Sequence, residues 1–302
     1  MMRAMPLFSR SDGTLVAGLA PVRYIMPFLM RGRNESAVLH EARFDLSRTH
    51  AWLARWSAAN RRKATLFHLI LFAVARTLHE RPGLNRFVSG ARLYQRKGVW
   101  LSFAAKAAWA DDAPIVTIKL EFPKDDTFAA CVERVAAAVG GAKDPPAGGA
   151  PIEKRKASTV DKELKLAMML PAFMLRGVMA LLKWLDRVNL MPAGMIASDP
   201  MYASAFLANL GSLGIDDTFH HLYEYGTVSL FGAVGRAEKA VFVGASGAPE
   251  VRDALKVCWS FDERINDGFY CASSLQGVQR IVEDPAATIG EPAAVVAASS
   301  AK

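Results

Sequence analysis

Two adjacent imidazoles, His220 and His221, stand in the stretch TFHHLYEYG (218–226), with Glu224 close behind. Imidazole exchanges protons near neutrality, so either ring is a candidate general base. The trio His220, His221, Glu224 also has the donor types of a metal site. However, neighbouring residues on a strand point to opposite faces, and a third and fourth ligand are missing. Packing is therefore the first reading for the pair, a base the second and a metal site the last. The remaining histidines (His40, His50, His68, His79) are scattered among helical stretches, where packed or solvated positions account for them.

Arginine is the other chemically loaded residue. The net charge of +8 divides unevenly: residues 1–110 carry 18 basic side chains, 15 of them Arg, against 5 acidic ones, whereas the rest carry 19 basic and 24 acidic. Guanidinium suits phosphates and carboxylates and keeps its charge in most surroundings, so anionic ligands or acidic partners belong with the first part. The cluster ANRRKAT (59–65) lacks the interleaved aromatics that stack bases, and no nucleic acid is expected as a partner. GAVGRAE (232–238) is not a dinucleotide fingerprint, and neither a phosphate loop nor a Gly-x-Ser-x-Gly elbow occurs. Cys131, Cys258 and Cys271 form no CxxC pair or framework spacing. Reduced thiols, no structural metal and a cytoplasmic location are the expectation. The N-terminus lacks the apolar core of a signal peptide, and no uncharged run reaches the roughly 20 residues that span a bilayer.

These groups must be held by elements that periodicity outlines. Residues 1–40 are Arg-rich, broken by Pro6, Pro21 and Pro27, and read as an N-terminal arm. Helices are expected from Ser47, as N-cap, to Asn60 and over 65–80, followed by strand runs at 86–88, 91–94 and 99–105. A strand at 114–122 and an Ala-rich helix at 127–139 lead into GGAKDPPAGGAPIEKRK (140–156), a linker or exposed loop. The apolar, basic and Met-rich segment 162–190 reads as a helical insertion. It suits packing on its own domain, or lying in a partner's groove or on a membrane surface, with the packed arrangement favoured. Strands at 203–210, 227–234, 240–243 and 254–261 and a helix at 268–282 complete a body spanning 41–285. Residues 286–302 read as a disordered tail.

Four blocks in this order resemble one family. ERPGLNRFV (80–88), FLANLGSLG (206–214), VSLFGAVGRAEK (228–239) and SFDERINDG (260–268) are similar to the catalytic domain of the dihydrolipoamide acyltransferases of 2-oxoacid dehydrogenase complexes. The resemblance covers residues 20–285. It implies an α/β two-layer sandwich, a mixed β-sheet flanked by helices as in chloramphenicol acetyltransferase. It also implies a homotrimer, open to higher assembly, with sites in channels between subunits. Coenzyme A or acyl-CoA is then the substrate, and the chain has no room for a lipoyl domain and so carries no lipoyl group.

In such relatives a His of the Asp-His-Arg-x-x-Asp-Gly signature takes the thiol proton, and a Ser or Thr on the strand before Asn-Leu-Gly binds the oxyanion. Here the resemblance puts Glu263 at the His position and Ala208 at the hydroxyl position, and it keeps Arg264, Asp267, Gly268, Asn209 and Gly211. Glu263 and Asp267 are thus the catalytic candidates, with His220 or His221 as a relocated base. Arg264, Asn209 and Gly211 are the candidates for binding the cofactor. Glutamate is roughly a hundredfold weaker base than imidazole, about 3 kcal/mol, unless burial beside Asp267 raises its pKa. Loss of the oxyanion donor costs another factor of about 10² to 10³. The expectation is a degenerate site that binds coenzyme A or an acyl thioester, or serves as a scaffold, with two alternatives. One is an active transferase with another acceptor, and the other is a docking protein using 162–190.

Overall fold

The computed structural model describes residues 9–106, 115–143 and 170–292. Two sheets organise them. A small antiparallel sheet joins β1 (Gly13–Leu15), β4 (Arg92–Arg96) and β3 (Arg86–Ser89) in the order β1-β4-β3. The main sheet runs β2 (Ala37–Asp45), β10 (Pro249–Asp262), β8 (Leu230–Val234), β7 (Ala205–Asn209), β5 (Trp100–Lys106), β6 (Ile115–Glu121), with β9 (Glu238–Val243) pairing the early part of β10. β7 lies parallel to both β5 and β8 and the other pairs are antiparallel, so the sheet is mixed, as expected.

Alternation along the strands divides the interior in two. Leu255, Val257, Trp259 and Phe261 of β10, with Ala205 and Leu207 of β7, face the main core. Their neighbours Cys258, Phe206 and Ala208 face the opposite side, together with Phe231 and Ala233 of β8. Helices cover the first face. α3 (Leu66–Glu80) is apolar on nearly every side and buries Leu69 through Ala75. It packs with α2 (Thr49–Asn60), α4 (Phe128–Lys143) and α7 (Gly268–Glu283). Phe128 joins three of them, its ring 5.3 Å from Trp52, 5.0 Å from Trp56 and 5.7 Å from Phe72.

Several boundaries differ from the sequence expectation. The arm assigned to 1–40 contains β1, α1 (Pro21–Leu29) and the first half of β2, which pairs along β10 from Ala37↔Asp262 to Asp45↔Ala254. In β2, Leu39, Glu41 and Arg43 are exposed while Ala42 and Phe44 are buried, and a polar His40 in the inward row and an apolar Leu39 in the outward one hide the alternation that makes it a strand. α2 starts at Thr49 without a side-chain cap, because the Ser47 hydroxyl is held by Asp45. The second run begins at Arg92, because Gly90 and Ala91 both take left-handed φ (56° and 58°) in a two-residue hairpin turn.

The start of the expected tail instead forms α8 (Pro285–Ile289), capped by Asp284 and followed by a bond from Trp52 Nε1 to the Gly290 carbonyl. Residues 293–302 lie outside the described residues, as do 144–156 of the expected linker and 162–169 of the helical segment. The rest of that segment gives α5 (Ala172–Arg187), which has no buried residue and leaves Phe173, Leu181 and Trp184 exposed. α6 (Ala193–Ser198) follows it. Among the described residues no helix is long and apolar enough to cross a membrane.

Candidate active site

The loop that ends β10 is built around a buried charge pair. Asp262 is fully buried, and Arg264 returns to it through Nε (2.8 Å) and Nη2 (2.7 Å) in a two-pronged contact. The Arg264 backbone N–H and the Ser36 hydroxyl also donate to Asp262 Oδ1. The remaining Arg264 nitrogen, Nη1, donates to the carbonyls of Met30 and Arg31. The N-terminal segment clamps the same turn: Glu263 N–H donates to the Ser36 carbonyl, and Arg23 Nη1 donates to the Glu263 carbonyl at 2.8 Å. Composition gave no hint of Ser36 or Arg23 in this role. For Asp262 the signal was its place two residues before Arg264.

Glu263 itself is half-buried, and its carboxylate has no hydrogen bond or ion pair within the described residues. Asp267 does not bury it. That side chain is exposed and caps α7 by accepting from Tyr270 N–H at 2.7 Å. Asn209 Oδ1 accepts from Ser212 N–H, and a Cβ on Gly211 would lie 2.2 Å from the Gly235 carbonyl. Asn209 and Gly211 thus shape the turn after β7, and Arg264 supports the loop after β10.

Ala208 lies in a row of small side chains, Ala104↔Ala208↔Ala233↔Cys258, across four strands. None of these four carries a hydroxyl, and the first one along the row is Thr117, paired with Ala104 on β6 and two strands away from Ala208. Glu263 follows five positions beyond Cys258, which at about 3.3 Å per residue puts it roughly 16 Å along the sheet from that row. The two positions that the resemblance pairs therefore do not meet within one chain.

His220 comes nearer to Ala208. Its ring stacks on Phe231 (4.1 Å, 8°), which stacks on Phe206 (5.2 Å), and the Ser260 hydroxyl donates to the His220 carbonyl at 2.6 Å. Phe206, Phe231 and Ser260 form the next same-face row, roughly 7 Å along the strand from Ala208. His220 Nδ1 lies 2.7 Å from the His221 carbonyl, which can only accept. The proton therefore sits on Nδ1 and the lone pair on Nε2. Burial lowers the pKa of this ring from the ordinary 6.5, and its bond to His221 only partly offsets that. His221 is exposed and stacks on His220 at 4.6 Å. Among the described residues no group of three or more His, Cys, Asp or Glu is arranged to hold a metal ion.

This mixed sheet with one helical layer is the fold of dihydrolipoamide acetyltransferase catalytic cores. The solved structure of a probable dihydrolipoamide acetyltransferase from Listeria monocytogenes 4b F2365 is similar with a TM-score of 0.56, at 15% identity over 89% of this chain and 94% of that one. The dihydrolipoamide acetyltransferase (E2p) of Azotobacter vinelandii gives 0.55, at 16% over 88% and 87%. The cubic core of a pyruvate dehydrogenase multienzyme complex gives 0.54, at 17% over 90% and 93%. No curated protein matches the sequence. Residues 191–289, a third of the chain, match the model of the 2-oxoacid dehydrogenases acyltransferase (catalytic domain) family and are similar to that domain. The match takes in Ala208, both histidines and the whole Asp262–Gly268 turn.

Proposed function

We propose that the protein is a homotrimeric member of the acyltransferase catalytic-domain family that binds coenzyme A or an acyl thioester without fast acyl transfer by the family's usual route. The observation that carries this reading is the row of small apolar side chains around Ala208. A tetrahedral oxyanion formed there has a methyl group where a hydroxyl would donate. Of the nearby hydroxyls, Ser102 donates to the Pro200 carbonyl and Ser204 accepts from the Trp100 N–H, while Thr117 stands two strands away. Glu263 puts a half-buried carboxylate, without a hydrogen bond or ion pair among the described residues, where the relatives carry an imidazole. Together the two changes are worth a rate loss on the order of 10⁴ or more. Calorimetric titration with coenzyme A and acetyl-CoA, beside an assay of acetyl transfer to dihydrolipoamide, tests the reading. Binding with turnover near background is expected, and turnover at typical enzyme rates would overturn it.

A second reading is favoured by His220. A neutral imidazole on the same face as Ala208, with the lone pair on Nε2, suits a relocated general base for a different acceptor. In that case Ala208 still leaves the oxyanion unsupported, and activity would follow the protonation of His220, lost in His220→Gln and retained in Glu263→Gln.

A further inference from the structure

A cavity of about 700 Å³ opens between the α1–β2 connection, the β3–β4 turn, the C-terminal half of α5 and residues 224–226. Neither Ala208, Glu263, His220 nor His221 lines it. Its wall carries five basic side chains (Arg31, Arg33, Lys183, Arg187, Arg264) against two acidic ones, Asp186 and Glu224. The acidic groups are already engaged. Asp186 pairs with Arg10 at 2.9 Å and accepts from the Ser89 hydroxyl, while Glu224 accepts from the backbone and side chain of Asn34. Arg264 is satisfied by Asp262. Four cations are left facing the cavity with no salt bridge among the described residues.

Arg33 is the most telling of them. It is 6% exposed, its two terminal nitrogens reach only the neutral carbonyls of Tyr223 and Val88, and its Nε has no hydrogen-bond partner. Burying a guanidinium on neutral acceptors is costly. Burial also pulls its pKa below the ordinary arginine value, against the partial help of Asp262. Lys183 and Arg187 stand one turn apart on an exposed face of α5 and make a cationic rim, with Arg31 opposite. Phe28 and Val88 supply apolar wall for the uncharged part of a ligand. The volume is that of a small-molecule site and far exceeds a single phosphate.

We infer that this cavity is a binding site for a phosphorylated small molecule, separate from the acyl-transfer constellation. Its phosphoryl oxygens meet Arg33 at the base and Lys183 and Arg187 at the rim, and its uncharged moiety lies along Phe28.

The test is calorimetric titration of the full chain with inorganic pyrophosphate, ADP, coenzyme A and, as an uncharged control, adenosine. One equivalent of pyrophosphate or ADP is expected to bind, adenosine is not, and the affinity should fall when NaCl rises from about 0.05 to about 0.5 M. The double variant Lys183→Glu/Arg187→Glu changes only exposed positions on a helix with no buried residue, so it should fold normally and bind at least tenfold more weakly. Arg33→Gln should abolish binding, with its folding checked by circular dichroism. Acetyl-transfer assays of the parent and the rim variant, run beside the titrations, read the acyl-transfer proposal separately from this site. Coenzyme A competing with pyrophosphate would identify the phosphorylated ligand as coenzyme A, and independent binding would make it another phosphate ester. Absence of stoichiometric binding by pyrophosphate and ADP, or affinity indifferent to the rim variant, would overturn the inference.

Discussion

Asp262 and Glu263 are neighbours with opposite fates. Asp262 is fully buried and meets Arg264, itself 4% exposed, so removing its charge leaves a guanidinium uncompensated in the interior. Breaking such a pair typically costs about 3 to 5 kcal/mol. Asp262→Asn should therefore lower unfolding stability in urea by about that amount, while Glu263→Gln, which severs no contact, should stay within about 0.5 kcal/mol of the parent. A large loss in Glu263→Gln would mean that the carboxylate is held by a group outside the described residues or on another subunit. The sequence motif made these residues visible but not their division of labour. Arg264 and Asp267 read as ligand-binding and catalytic through the family resemblance, whereas the fold commits one to a buried pair and the other to a helix cap. Spacing along a chain identifies which residues share a turn. Which of them face inward depends on Ser36, Met30 and Arg31, more than two hundred residues away.

Elements differ in how openly their sequences announce them. α3 was legible because Thr65 precedes a long apolar run and Pro82 follows it. Its cap was not, since the residue at the third helical position is His68 rather than the usual Glu or Gln. His68 Nδ1 accepts from the Thr65 N–H (3.2 Å) while the Thr65 hydroxyl accepts from the His68 N–H (3.3 Å), so the box needs an unprotonated Nδ1. Burial lowers the pKa of His68 below its ordinary 6.5. The unfolded chain then takes up the proton first as pH falls, and stability present above pH 6.5 is lost between that value and the lower folded-state pKa. His220 contributes in the same sense. Thermal midpoints should drop between about pH 7.5 and about 5.5, above the range where carboxylates titrate, and His68→Gln should flatten that drop. α5 makes a second case. It buries no side chain, and its C-terminal end is held by Arg10 and Ser89 on Asp186 and by Arg92 on the Arg187 carbonyl, with Gly90 making room for that carbonyl. Asp186→Ala should speed tryptic cleavage at Arg176 and Lys183 several-fold, and unchanged cleavage would mean that something other than this anchor covers the helix.

At the scale of the whole molecule, the sheet register sets a distance that one chain cannot close. Ala208 and Glu263 lie roughly 16 Å apart along the sheet, so a thioester can touch both only where one protomer's β7 face meets another's β10 turn. The proposed trimer supplies such a boundary, and it has a genetic test. Restoring the hydroxyl and the imidazole together, as Ala208→Ser/Glu263→His, should raise acetyl transfer to dihydrolipoamide by about 10⁴-fold over the parent, the product of a regained oxyanion donor and a regained base. Each single variant restores only one of the two factors and should fall about 10²-fold or more short of the double. When the two single variants are unfolded and refolded together, mixed assemblies bring the restored hydroxyl of one chain to the restored imidazole of another and should recover part of that activity. Sedimentation should give a mass three times the 32.8 kDa of the chain. A monomer, or mixed assemblies as inert as the separate variants, would show that the two positions never share a site, and the degenerate-transferase reading would fall with them.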